Sequence, residues 1–226
     1  MHIPDQDTHR LTIIPFSAAL EEAFLPCPEY DVSKWLYVPN RYADYRYLLG
    51  QRGARPLICV GVNPSTAAPD RLDNTLKSVQ RIALHNGYDS FLMFNVYAQR
   101  ATRPRDMDTS CNRVLHAENM AAFRYALSLS RGAPPAVWAA WGNVIETRAY
   151  LSGCVRDLLE AAADMGAKWY MAGNPSVKGH PHHPLYLKKD TPLVPFDAAG
   201  YLTRLLSFQQ PKKNAQAPGT MTQSAE

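Results

Sequence analysis

The chain has 226 residues, of which 46% are hydrophobic and 19% are charged. This composition excludes a wholly disordered chain, and the length predicts one large domain with extensions. The 24 basic and 20 acidic residues give a formal charge of +4, which permits a polyanionic partner without requiring one. The apolar runs are shorter than the roughly 18 residues of a membrane span, and the first residues lack the pattern of a secretory signal.

Four cysteines are scattered along the chain, at Cys27, Cys59, Cys111 and Cys154. No two of them have the two-residue gap of a zinc knuckle or a redox motif, so we expect free thiols. With no membrane or secretion signal, this pattern indicates a cytoplasmic protein without a metal or another cofactor. The sequence indicates neither a membrane contact nor a protein partner, and we expect a monomer.

Residues 1–54 precede the regular alternation of strands and helices, so we predict an N-terminal extension packed on the core. Within this extension, residues 17–24 show a short helical pattern that Ser17 would cap. Residues 35–39 and 42–48 are rich in aromatic side chains, which is typical of an antiparallel strand or hairpin.

Residues 55–208 alternate between apolar runs typical of buried strands and amphipathic patterns typical of helices. This alternation predicts an α/β core domain, a three-layer sandwich with a largely parallel central sheet. Residues 209–226 are polar without an apolar period, so we predict a disordered tail. The predicted strands cover 57–62, 90–97, 136–141 and 168–172, and the predicted helices cover 75–86, 112–130, 147–165 and 195–206.

Compact polar and turn-forming residues follow the predicted strands, where an open parallel sheet binds its ligands. We therefore expect these loops to form one site at the carboxyl edge of the sheet. The candidate residues are Asn63, Pro64 and Ser65 after the first core strand, Asn95 in the second, Trp141 and Gly142 at the end of the third, and Lys178 and His183 after the fourth.

The asparagine amides offer a donor and an acceptor side by side, which suits a bound water or the edge of a pyrimidine. The residues alone leave simpler interpretations open. Asn63 also fits a turn that ends a strand, and Asn95 also fits an amide satisfied by neighbouring backbone. Asp73 is a further binding candidate, and it lies at a predicted helix start where it would serve as a cap.

Three histidines, His180, His182 and His183, lie within one short segment. Prolines 181 and 184 stiffen this segment, so that neighbouring side chains diverge and a shared metal is disfavoured. A single histidine that donates a hydrogen bond to a developing anion fits the pattern at least as well. Lysines in this loop and arginines after the second core strand would form a positive rim for phosphates, or an ordinary solvated surface.

The order of these motifs resembles the uracil-DNA glycosylase superfamily. The matching residues are Gly61-Val62-Asn63-Pro64, the hydrophobic strand that leads to Asn95, Trp141-Gly142, and His183-Pro184. The resemblance implies a uracil-DNA glycosylase-like fold. It also implies that Asn63 activates a water, Asn95 binds the pyrimidine, and His183 polarises the base oxygen as the base departs. Leu185 stands where that superfamily carries serine.

A second resemblance, to the bacterial domain-of-unknown-function family 1643, spans most of the chain but brings no established activity. Its motifs correspond here to Tyr45-Arg46-Tyr47-Leu48-Leu49, Asn63-Pro64-Ser65-Thr66-Ala67, Asp73-Asn74-Thr75, Asn95-Val96-Tyr97-Ala98, Trp141-Gly142 and the segment from Gly179 to Tyr186.

From the first resemblance we expect a glycosylase-like hydrolase that acts on a nucleobase in DNA or a related nucleoside. Asn63 and His183 would carry the reaction, and the other candidate residues would bind the substrate. Two alternatives remain open at this point. One is a non-catalytic module that binds nucleic acid or a nucleotide in the same pocket, and the other is a hydrolase of small nucleotides.

Overall fold

Seven strands form one mixed sheet in the computed structural model, which describes residues 1–207 and side chains as far as Leu205. The strand order is β1-β2-β4-β3-β5-β6-β7, and the four central strands β4, β3, β5 and β6 run parallel. The predicted α/β core with a largely parallel centre is confirmed. The strands are β1 (Trp35–Val38), β2 (Leu48–Gln51), β3 (Pro56–Gly61), β4 (Ser90–Asn95), β5 (Ala136–Ala139), β6 (Lys168–Ala172) and β7 (Leu193–Pro195).

Helices cover both faces of the sheet because the central strands are apolar on both faces. Helix α2 packs on one face, against Leu57 and Cys59 of β3. The other four helices belong to the layer on the opposite face, where Ile58 and Val60 of the same strand point. The helices are α1 (Phe16–Glu22), α2 (Asn74–His85), α3 (Arg113–Ser128), α4 (Tyr150–Asp164) and α5 (Ala198–Ser207).

The N-terminal segment contributes two strands to the central sheet, whereas the sequence predicts only an extension packed on the core. Strands β1 and β2 form an antiparallel hairpin, and β2 continues the sheet by pairing with β4. Gly50 permits this pairing, because a Cβ at that position would lie 2.1 Å from the carbonyl oxygen of Phe91. The first strand of the hairpin lies where the sequence predicts it, but the second strand is Leu48–Gln51 and not 42–48, and it extends the edge of the central sheet.

A buried carboxylate attaches the first residues of the chain to the core. Asp108 accepts hydrogen bonds from the backbone N–H of Thr8 at 3.0 Å, from the hydroxyl of Tyr97 at 2.7 Å and from Nε2 of Gln99 at 2.9 Å. Because all these donors are buried, each would lose its partner without the carboxylate.

Asp108→Ala should therefore lower the free energy of unfolding by roughly 3 kcal/mol, the cost of leaving several buried donors unsatisfied. Urea denaturation measures this loss. Asp106 provides the matched control, because its ion pair with Arg103 lies at the surface and Asp106→Ala should change stability by less than about 0.5 kcal/mol. Equal losses in the two variants would contradict the anchoring role of Asp108.

The C-terminal part differs from the prediction in two places. Residues 142–147 form a 3₁₀ helix before α4, and the predicted helix at 195–206 is preceded by the short strand β7. Strand β7 forms because Val194 pairs with Met171 of β6, a partner that lies outside its local sequence. The predicted tail at 209–226 lies outside the described residues. Among the residues described, no helix is both long and apolar enough to cross a membrane.

Candidate active site

A cavity of about 450 Å³ opens at the carboxyl edge of the parallel strands. Asn63, Asn95 and His183 all line it, and so do Pro64, Ser65 and Asp73. The first loop follows β3, Asn95 is the last residue of β4, and His183 belongs to the loop after β6. A volume of this size lies within the range of small-molecule sites. The edge of the sheet thus brings together six of the nine residues that the sequence singles out.

The side chain of Asn63 is held in one orientation by backbone carbonyls. Its Nδ2 donates to the carbonyl of Ala101 at 2.7 Å and to that of Pro64 at 3.1 Å. These two bonds use both amide protons. The Oδ1 atom is therefore the side-chain group that remains to accept a hydrogen bond from a water or a ligand in the cavity.

Asn95 is completely buried, and neither its Nδ2 nor its Oδ1 has a hydrogen-bond partner among the described residues. Its backbone carbonyl is held by Nδ2 of Asn119 at 2.9 Å, so the strand end is ordered around it. Gly61 lies opposite and leaves room, because a Cβ there would lie 3.1 Å from Oδ1 of Asn95. Buried polar groups in proteins are nearly always satisfied. Asn95 is thus a lining residue of the cavity whose amide has no partner among the described residues.

His183 is held as the neutral tautomer that carries its proton on Nε2. Its Nδ1 accepts from the backbone N–H of Leu185 at 3.3 Å, which requires that nitrogen to be unprotonated. Burial lowers the pKa of His183, and the negative charge of Asp73 partly opposes this shift. At neutral pH the cavity therefore contains a histidine with one N–H donor, Nε2, free for a ligand.

Gly142 supports His183 from behind the cavity. Its φ of +63° favours glycine, and its N–H donates to the carbonyl of Pro181 at 3.0 Å. A Cβ at Gly142 would lie 3.4 Å from the Cβ of His183. The structure thus places Gly142 outside the cavity lining, as a residue that positions the histidine loop.

Asp73 lies at the mouth of the cavity and caps α2, as its alternative interpretation predicts. Its Oδ1 accepts from the backbone N–H of Leu76 at 2.9 Å. Pro64 and Ser65 line the cavity beside it, and the hydroxyl of Ser65 donates to that of Thr102 at 3.3 Å. Asp73 therefore combines a structural bond with a negative charge close to the site.

Trp141 and Lys178 do not line the cavity, in contrast to what their places in the sequence suggest. Trp141 is completely buried in the core, where its Nε1 donates to the hydroxyl of Tyr201 at 2.8 Å. Lys178 forms an ion pair with Glu146 at the surface. Both residues follow strands at the correct edge, but their side chains point away from the site. Without Trp141 and Lys178, the candidate site consists of the loops after β3 and β4 and of His183.

The three histidines do not converge on a metal. His180 is buried and bridges Oε1 of Glu146 and the hydroxyl of Tyr201, each at 2.9 Å. Elsewhere in the described part of the chain, Asp7, His9 and Asp108 hold their ligand atoms within 4.8 Å of one another. The oxygens of Asp108 already accept the buried hydrogen bonds described above, so this group is explained by the fold.

Sequence reasoning missed two buried arginines beside the cavity. Arg46 lines the cavity although it is 1% exposed, and Arg100, which the sequence places on a positive rim, is 0% exposed. The sequence signal for Arg46 is its position between Tyr45 and Tyr47 in an apolar stretch. Arginine is rarely fully buried unless its charge has a partner, so this position points to a functional role.

The comparisons with known proteins give one match. The model of the family described as "Protein of unknown function (DUF1643)" matches residues 46–185, more than half of the chain. No curated protein and no solved structure matches. The matched range begins at Arg46 and includes Asn63, Asn95 and His183, and it contains the described lining residues of the cavity except Tyr186. The chain therefore belongs to the DUF1643 family.

Proposed function

We propose that the protein is a glycosylase-like hydrolase that cleaves the N-glycosidic bond of a nucleobase in DNA or a related nucleoside. The uracil-DNA glycosylase-like fold is part of the same proposal. The observation that carries it is the buried amide of Asn95, which lines the cavity with both polar atoms unpartnered. An amide pairs with a planar edge that presents an acceptor beside a donor, and pyrimidines present such an edge.

The amide of Asn95 matches uracil and cytosine equally well. Uracil offers O4 beside N3–H, and cytosine offers N3 beside its exocyclic amine. Since no protein group fixes the orientation of the amide, a half-turn of the side chain exchanges the two patterns. Discrimination between these bases must therefore come from other contacts in the cavity.

His183 would stabilise the departing base. When the N-glycosidic bond breaks, its electron pair remains on the base, and negative charge develops on the carbonyl oxygens of the base. The Nε2–H of the neutral His183 can donate to such an oxygen. A preorganised donor of this kind contributes about 3–4 kcal/mol to the transition state.

Asn63 would hold the attacking water through its Oδ1. The water oxygen forms the new bond to the sugar carbon as the base departs, and the released proton is taken up by solvent. The amide cannot itself accept that proton, so the role of Asn63 is to position the water.

One observation favours a binding module as the second candidate. The carboxylate among the described lining residues, that of Asp73, already caps α2. A pocket without an uncommitted base suits a protein that binds a nucleotide without hydrolysing it. Direct measurement of base release separates the two functions.

The test is a screen of single-stranded and duplex oligonucleotides, nucleosides and nucleotides that carry uracil, cytosine and modified bases, with the released base detected by mass spectrometry. We expect Asn63→Ala to lower the turnover about 10- to 100-fold, the range of one hydrogen bond to a charged or reacting group. Binding of the substrate should remain nearly unchanged. Asn143, an exposed asparagine outside the cavity, supplies the control Asn143→Ala. Release of no base from any substrate would favour the binding module.

A further inference from the structure

Arg46 and Arg100 lie side by side beneath the loop that follows β3. Nη1 of Arg46 donates to the carbonyl of Ala67 at 3.2 Å, and Nη1 of Arg100 donates to the same oxygen at 3.3 Å. Both side chains are almost completely buried. Two guanidinium groups therefore share one carbonyl in the interior of the protein.

No acidic side chain neutralises this pair. None of the ion pairs among the described residues includes Arg46 or Arg100, and their hydrogen bonds reach neutral oxygens of Ser65, Ala67 and Tyr37. Arg100 also lies over the ring of Tyr42, 4.3 Å from its centroid. The Nε atoms of both arginines have no hydrogen-bond partner within residues 1–207, the part of the chain that the structure describes. A buried charge without an opposite charge nearby is strongly destabilising. Two adjacent buried arginines therefore point to a negatively charged ligand that compensates them.

The charge of Arg46 persists despite its burial. Burial, and secondarily the charge of Arg100, lowers the pKa of Arg46 to about 9, so the side chain remains protonated at pH 7. Asp73 favours the protonated form through its charge, but it forms no ion pair with Arg46 and its Oδ1 already caps α2. The charges of Arg46 and Arg100 therefore exceed that of Asp73, the carboxylate that acts on both of them.

The first turn of α2 lines the same cavity as Arg46. Asn74 and Thr75 line it together with Arg46. The first backbone N–H groups of a helix attract anions because they have no partners within the helix. Arg46 and this helix end thus present a cation and free donors to one ligand.

We propose that Arg46 binds a phosphate group of the ligand, and that the ligand is a small nucleotide with a terminal phosphate. The nucleoside part of this inference rests on the proposed function. In a nucleic acid strand the phosphates continue on both sides of the bound nucleotide and stay near the surface. A terminal phosphate can enter the cavity with its nucleoside and reach an arginine that is 1% exposed. Arg100 does not line the cavity, and it positions Arg46 and the loop.

Calorimetric titration of 2′-deoxyuridine, 2′-deoxycytidine and the 3′- and 5′-monophosphates of both tests this inference. The wild type should bind at least one monophosphate about 10- to 100-fold more tightly than its nucleoside, the range of hydrogen bonds between charged groups. In Arg46→Met this ratio should fall to about one. Arg103 supplies the control, because it is exposed and paired with Asp106, and Arg103→Met should retain the preference.

Thermal unfolding in phosphate-free buffer separates this role from a structural one. Arg46→Met removes a buried charge without a partner, so it should retain or raise the melting temperature. A large loss in that buffer would mean that Arg46 serves the fold. If this variant does not fold, Arg46→Lys should fold and show a reduced preference, because lysine keeps the charge without the planar fork.

The remaining outcomes distinguish this inference from the proposed function. Equal affinity for nucleoside and monophosphate would overturn the phosphate site and leave the hydrolase intact. Base release from oligonucleotides without binding of any monophosphate would also overturn it. Tight binding of a monophosphate without base release would support the phosphate site and refute the hydrolase.

Discussion

Replacing His183 with alanine should lower the rate of base release by about 100- to 1000-fold, the effect of removing one preorganised donor to a developing anion. Binding should change little, because the donor acts on charge that appears only in the transition state. Single-turnover kinetics on the substrate identified by the screen measure the chemical step. Folded His183→Ala protein that releases base as fast as the wild type would refute the role.

His182 provides the control for this experiment, because it is the adjacent histidine and does not line the cavity. His182→Ala should retain the wild-type rate. If His183 only held the loop, its replacement would lower the melting temperature, and activity would fall only in proportion to the folded fraction. Measuring both quantities on the same preparations distinguishes these cases.

The pH dependence of stability tests the neutral state assigned to His183. Its folded-state pKa lies below the ordinary 6.5, so protonation is easier in the unfolded chain. The stability that the neutral side chain contributes is therefore fully present above about pH 6.5, and it is lost as the pH falls through the lowered folded-state pKa. His183→Ala should lose less stability than the wild type on acidification through that window.

Replacing Asn95 with alanine should abolish recognition of the base without weakening the fold. Its amide has no partner in the protein, so its removal leaves no buried group newly unsatisfied and should keep or slightly raise the melting temperature. A polar edge of the ligand that loses its partner costs about 1–3 kcal/mol for each of the two bonds, so affinity should fall at least about 30-fold. Ligand titration beside thermal unfolding measures both effects.

Asn95→Asp should instead change which base is accepted. An ionised carboxylate only accepts hydrogen bonds, so it favours the amine of cytosine over the O4 of uracil. Asn119 offers the structural comparison, because its Nδ2 holds the carbonyl of Asn95. Asn119→Ala should lower the melting temperature. Destabilisation of Asn95→Ala to the same degree would mean that Asn95 also serves the fold.

The sequence predicted the core of the fold because its signals there are local. Residues 57–62 and 91–94 are apolar throughout, which identifies strands buried on both faces, and the helical patterns between the strands require parallel crossovers. Strand β7 was missed because three residues carry no pattern of their own. Its pairing with β6 depends on a partner more than 20 residues away in the chain.

The same logic accounts for the site. Strand ends that share one edge bring their loops together, so the positions of Asn63, Asn95 and His183 could be predicted from the chain alone. The direction of each side chain could not. Trp141 packs in the core, and Lys178 forms an ion pair with Glu146. Packing on each face decides which way a residue at a strand end points.

What the sequence by itself determined was therefore the order of the elements and the edge where polar residues gather, both of which follow from short-range periodicity. The tertiary structure alone decided which polar groups are buried away from solvent. Packing of the strands, helices and loops buries the amide of Asn95 without a partner. The same packing buries the charges of Arg46 and Arg100. Desolvation depends on all neighbours at once, and no local pattern in the chain records it.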